Sequence, residues 1–137
     1  MIKEIVTDSF LLSQKAKPAT ENDIEVVEDL LDTIKAHQEN CVGMAANMIG
    51  VNKSIIVIKD GKDYTVMINP EIMKFSGQKY QTEEACLSLP QRKPTSRYEK
   101  VKVSYLDEKF KKKIKTYIGF TAQIIQHEID HCQGILI

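Results

Sequence analysis

The sequence predicts an α+β fold, a mainly antiparallel sheet packed around a C-terminal helix, and three observations lead there. An apolar stripe with helical spacing runs through the first third of the chain. The middle holds β-rich segments separated by turn residues. A last helical stretch, bracketed by glycines, closes the chain. Strands grouped between helices argue for α+β layering rather than alternating βαβ units. The 137 residues suffice for one hydrophobic core, so residues 1–137 are expected to form a single domain.

Thr20 and Asp23 are spaced as a capping box, just ahead of Ile24, Val27, Leu30, Leu31 and Ile34. That spacing predicts a helix from about Asn22 to His37, with His37 suited to the negative end of the helix dipole. Cys41 to Val51, with two glycines, two alanines and little charge, reads as a tight loop and short connector. Ser54 to Lys59 and Tyr64 to Asn69 flank Asp60-Gly61-Lys62-Asp63 and read as a hairpin. Lys100 to Leu106 and Lys112 to Ile118 form a second hairpin around Asp107 to Phe110. Gly119 interrupts the alternation, Thr121 is the expected cap of a helix reaching about Cys132, and Gly134 lies beyond its end.

Lys plus Arg and Asp plus Glu both number 19, so net charge recruits neither DNA nor an anionic membrane. The N-terminus lacks the basic start and apolar run of an export signal, and no apolar stretch approaches the roughly 20 residues of a membrane span. Cysteines 41, 86 and 132 show no paired spacing, which suits a reducing, cytoplasmic setting with thiols as ligands or core residues. Cys132 is expected to be a core or partly exposed thiol rather than a fourth ligand.

The strongest chemical signal is His127-Glu128-Ile129-Asp130-His131, an H-E-x-x-H pattern inside the last helix. Residues four apart on a helix differ by about 40° in azimuth, so both imidazoles can bind one metal ion beside Glu128. A catalytic site needs a third protein ligand and an open position. Six residues follow His131, too few to supply a further histidine or a later helix, so the ligand is sought upstream. Cys86, Cys41, His37 and several carboxylates are candidates.

Glu83-Glu84-Ala85-Cys86-Leu87-Ser88 resembles the E-G-C-L-S motif of peptide deformylases, and Gln126 to His131 resembles that family's Q-H-E-x-D-H. Cys41 to Gly50 is similar to its G-x-G-L-A-A-x-Q segment, which an apolar residue and a glycine follow. The three motifs occur in family order. The resemblance implies a C-terminal metal-binding helix, with Cys86, His127 and His131 as ligands and Glu128 as general acid/base. It also implies that the backbone N–H of Leu87 helps bind the developing oxyanion. The implied metal is Fe(II), with Zn, Ni or Co able to replace it. The implied substrate is the N-formylmethionyl end of nascent polypeptides.

Three positions depart from the family pattern. Its first glycine falls on Cys41, the glycine before the ligand cysteine on Ala85, and the motif's glutamine on Met48. That glutamine donates a hydrogen bond to the reacting carbonyl, and a thioether has no proton to give. The methionine pocket is expected from Val42, Gly43, Met44 and Ile124, with Ile125, Ile129 and Cys132 as further neighbours. Arg92 and Arg97 are expected either to hold the substrate backbone or to form ordinary ion pairs, and Asp130 either to orient a ligand histidine or to pair with one of these arginines. The basic run Lys109 to Lys115 reads as a solvated turn, with transient ribosome contact as its alternative. The competing function is a metal-binding module of the same fold that has lost turnover. A zinc endopeptidase fits a thiolate ligand poorly.

Overall fold

The computed structural model describes residues 1–137. A single turn, α1 (Ser9–Leu12), begins at Asp8, whose side chain accepts from the N–H groups of Phe10 and Leu11. Then comes the capping box at Thr20 and Asp23, formed as expected. It opens a 3-10 turn (Glu21–Asp23) that continues into α2 (Ile24–Ala36). His37 caps the end, its ring nitrogen 2.9 Å from the Thr33 carbonyl.

Five strands follow, β1 (Gly43–Ala45), β2 (Ile55–Asp60), β3 (Asp63–Glu84), β4 (Lys93–Leu106) and β5 (Lys112–Ile118), paired antiparallel in chain order. The helix α3 (Gly119–Cys132) closes the fold. Both expected hairpins are present.

Three expectations need correction. The segment expected as a loop, Cys41 to Val51, holds strand β1 and a 3-10 turn (Ala46–Ile49) ended by Gly50 at φ 85°. Glycine and alanine carry little strand preference of their own, and pairing with the apolar β2 creates the strand. Strand β3 runs 22 residues rather than ending at Asn69, and β4 starts at Lys93 rather than Lys100. Register slips between Ile68 and Glu71, Ile72 and Lys74, and Ser76 and Lys79 break the two-residue alternation that would have revealed the strand. Asn69, at φ 51°, and Pro70 sit at the first slip, where a missing N–H is tolerated. Finally, α3 starts at Gly119, at φ 65°, without a side-chain cap from Thr121.

Strand β2 explains why Ile55 to Ile58 is apolar without alternation. Ile55 and Val57 pack with Leu30 and Ile34 of α2, while Ile56 and Ile58 pack with Ile125 and Ile129 of α3. Both faces of the strand are therefore covered, as continuous apolar runs require. Helix α3 also closes an open stretch of β4. The Gln126 amide donates to the Tyr98 carbonyl and accepts from the Tyr98 N–H, both at 2.9 Å, as a neighbouring strand would. This pairing anchors the helix one residue before His127.

Candidate metal centre

The end of β3 and the turn after it bring Cys86 against α3. Its Sγ lies 3.3 Å from His131 Nε2, which lies 3.3 Å from His127 Nε2. All three donor atoms fall within 4.8 Å of one another. Bonds of about 2.0–2.3 Å to a tetrahedral ion place neighbouring N and S ligands about 3.3–3.6 Å apart. The spacing therefore fits a three-ligand set for one metal ion, with the cavity on its open side. His37, on the far end of α2, and Cys41 are not part of this cluster.

The outer nitrogen of His127 explains its orientation. Its Nδ1 sits 2.7 Å from Oε1 of Glu84, which is 7% exposed. Two arms of Arg97 grip the same carboxylate, Nε donating to Oε2 at 3.0 Å and Nη2 to Oε1 at 2.7 Å. Burial opposes charge on Glu84, but His127 and Arg97 outweigh it and hold the carboxyl down at about 2. Burial likewise opposes charge on His127. Hydrogen bonds to Cys86 and Glu84 prevail and raise it to about 10 in the metal-free protein. His131, with no carboxylate partner, is pushed down to about 3 by burial and by His127, leaving a neutral imidazole.

Arg97 is thus corrected from a substrate-holding expectation to a buried structural one. It is 5% exposed, and its remaining arm donates to Asp130 at 2.7 Å. Of the alternatives for Asp130, the structure shows the ion pair with Arg97. The carboxylate that touches a ligand histidine is Glu84, which sequence reasoning passed over. Its only signal was an acidic residue two positions before the ligand cysteine.

Glu128 is buried beside His127, and burial pushes its carboxyl up to about 7. Its Oε1 has no hydrogen-bond partner in the protein. Gly43 of β1 makes room for it: a Cβ there would lie 2.6 Å from Ile124 Cγ2 and 2.8 Å from Glu128 Oε2. The glycine is thus required by close approach rather than by its φ angle.

A cavity of about 240 Å³ opens over these groups. Val42, Gly43 and Ile124, expected in the methionine pocket, line it together with Leu87, Arg92 and Met48, and Cys86, His127 and Glu128 stand in its wall. Phe120, Gln123 and Asn40 also line it and were not anticipated. Met44 was expected here, but it is fully buried in the core on the α2 side. Ile125, Ile129 and Cys132 pack on the sheet rather than in the cavity. Cys132 is a core thiol, as expected, held protonated by burial. Met48 is 1% exposed, and its sulfur accepts from the Ala45 N–H at 3.5 Å. Cys41, in the cavity wall, is pushed up to about 12 by burial and by Glu128, so it stays a thiol.

The family described as Polypeptide deformylase matches residues 2–137. A peptide deformylase of Clostridium beijerinckii is 54% identical over 137 residues, the whole of both chains. Peptide deformylase 1 of Clostridium perfringens is 42% identical over 81% of this chain and 76% of its own. Among solved structures, the peptide deformylase of Thermotoga maritima superposes with a TM-score of 0.90 at 29% identity, covering 99% of this chain and 95% of that one. An actinonin-bound class I type b peptide deformylase from Acinetobacter baumannii gives 0.88 at 32% identity, with the same coverage. With the family matched across nearly the full length, the chain belongs to the peptide deformylases.

Proposed function

We propose that this protein hydrolyses the formyl group from N-formylmethionine at the start of nascent polypeptides, releasing formate. The observation that carries the reading is the convergence of Cys86, His127 and His131, with Glu128 buried beside them, in the wall of one cavity. Cys86, His127 and His131 would hold a divalent ion whose Lewis acidity lowers the pKa of water and draws charge from the formyl oxygen. With such an ion bound, a Cys86 thiolate would cancel one of its two charges and neutral His127 and His131 imidazoles would leave the rest. We assign Fe(II) in the cell; Zn, Ni or Co would replace it in purified protein, since nitrogen and sulfur sites bind several of these more tightly.

Glu128 takes a proton from the attacking water and hands it to the departing amine. Water oxygen ends on the formyl carbon, the C–N bond breaks, and formate leaves beside a free methionine amine. Burial raises the proton affinity of the Glu128 carboxyl, which suits a group that must accept a proton before returning it. The Leu87 N–H is assigned to the oxyanion. Val42, Gly43 and Ile124 are assigned to the methionine side chain and Arg92 to the peptide backbone, supported by their places in the cavity lining.

The reading places a single domain, residues 1–137, in the cytoplasm where chains begin synthesis. No helix is long and apolar enough to cross a membrane. The lysine-rich end of the β4–β5 turn and the start of β5, Lys109 to Lys115, form the surface we assign to transient ribosome contact. The test is formate release from an N-formylmethionyl peptide by anaerobically prepared, metal-loaded protein. Formate and new amine are expected in equal amounts, with no internal cleavage. Internal cleavage without formate, or no product from either bond, would overturn the reading.

A further inference from the structure

An ionised carboxylate offers about four acceptor sites, and in Glu84 all four are occupied. Arg97 takes two and His127 one. The fourth goes to Gln123 of α3, whose Nε2 donates to Oε2 at 3.0 Å. Gln123 is held in turn by Tyr80 of β3, whose hydroxyl donates to its Oε1 at 3.1 Å. These two bonds fix which way the amide faces. Turned over, Gln123 would set its carbonyl oxygen against the Glu84 carboxylate, acceptor against acceptor.

The geometry follows from two periodicities. Tyr80 and Glu84 lie on one face of β3, in a stretch whose pairing with β4 has no register slip, and Gln123 and His127 lie one turn apart on α3. Strand and helix are joined by two rungs, Tyr80 to Gln123 and Glu84 to His127, and the Gln123–Glu84 bond braces one rung against the other.

We infer that Tyr80 and Gln123 are positioning residues for the metal centre, a brace that acts through Glu84 to hold the His127 imidazole toward Cys86 and His131. Partners that orient a ligand histidine typically change metal affinity by about 10- to 100-fold when removed, and a single neutral hydrogen bond changes an equilibrium by about 2- to 10-fold. The inference rests on His127 being a metal ligand.

The experiment measures the dissociation constants of Zn(II) and Co(II), by chelator competition, for wild type, Tyr80→Phe, Gln123→Leu and the double variant, with His127→Ala alongside. Tyr80→Phe is expected to weaken binding about 2- to 10-fold and Gln123→Leu about 10-fold or more. The double variant should match Gln123→Leu, because the hydroxyl acts only through the amide. A residue that merely supports the fold would lower the melting temperature without that non-additivity in metal affinity. Affinities within about twofold of wild type in both single variants, or effects that add in the double, would overturn the brace. If Gln123→Leu does not fold, Tyr80→Phe decides alone: weakened binding in the folded protein supports the brace, and unchanged binding overturns it. Loss of metal in His127→Ala with unchanged Tyr80→Phe and Gln123→Leu would sink the brace and keep the centre. Tight binding by His127→Ala would remove both.

Discussion

Two side chains in the cavity wall, Glu128 and Met48, are each constrained by a neighbour that can be named. Glu128 is walled in by Gly43 and Ile124, so it is held at the cavity wall, where burial raises its proton affinity. Glu128→Gln is expected to retain its metal and lose about 10²- to 10⁴-fold in kcat, because an amide cannot shuttle a proton. Metal analysis and formate release on one preparation check this. Gly43→Ala pushes a methyl against Glu128 and is expected to cost about 10²-fold in kcat/KM with metal content unchanged. Met48 stands where the family resemblance expects a hydrogen-bond donor, and we propose that one can be restored there. Its sulfur occupies the place of an acceptor for the Ala45 N–H. In Met48→Gln the amide oxygen can take over that bond while the NH₂ group turns to the cavity, so kcat/KM on formylmethionyl peptides is expected to rise by up to about 10²-fold. Steady-state kinetics decide it, and an unchanged rate in the folded, loaded variant would show that the missing donor does not limit turnover.

At the scale of elements, the hairpins β2–β3 and β4–β5 were legible from β-rich segments flanking turn residues, α2 from its apolar spacing, and α3 from the glycines at its ends. The far part of β3 was not, since each register slip reverses which residues face the core. The same limit hid the supports of the metal centre. His127, Glu128, His131, Cys86 and Glu84 stand in motifs, but Glu84 and Arg97 become partners only when β3 and β4 pair over residues 79–84 and 93–98. Sequence order cannot show that Arg97, an ordinary arginine in an exposed-looking stretch, closes on two acidic groups under a helix. Its removal is expected to be severe: Arg97→Met leaves the buried Glu84 without its main counter-charge and should cost about 3–5 kcal/mol, read as a lowered denaturant midpoint. A midpoint near that of wild type would show that the carboxylate finds compensation elsewhere.

Across the whole molecule, two apolar clusters on opposite faces of β2 leave the ligand cysteine and the ligand helix meeting at one place, above the end of β3. Strand β3 supplies Glu84 and the turn after it Cys86, the helix supplies His127, Glu128 and His131, and neither half is a metal site alone. Activity should therefore require the bound metal, although metal can be held without activity when Glu128 is replaced. The most direct measurement titrates metal-stripped protein with Fe(II) under anaerobic conditions and follows bound metal and formate release on the same samples. Both should saturate together at one ion per chain, and Cys86→Ala should show neither. Full formate release by the stripped protein, or stoichiometric metal and full turnover in Cys86→Ala, would contradict the account.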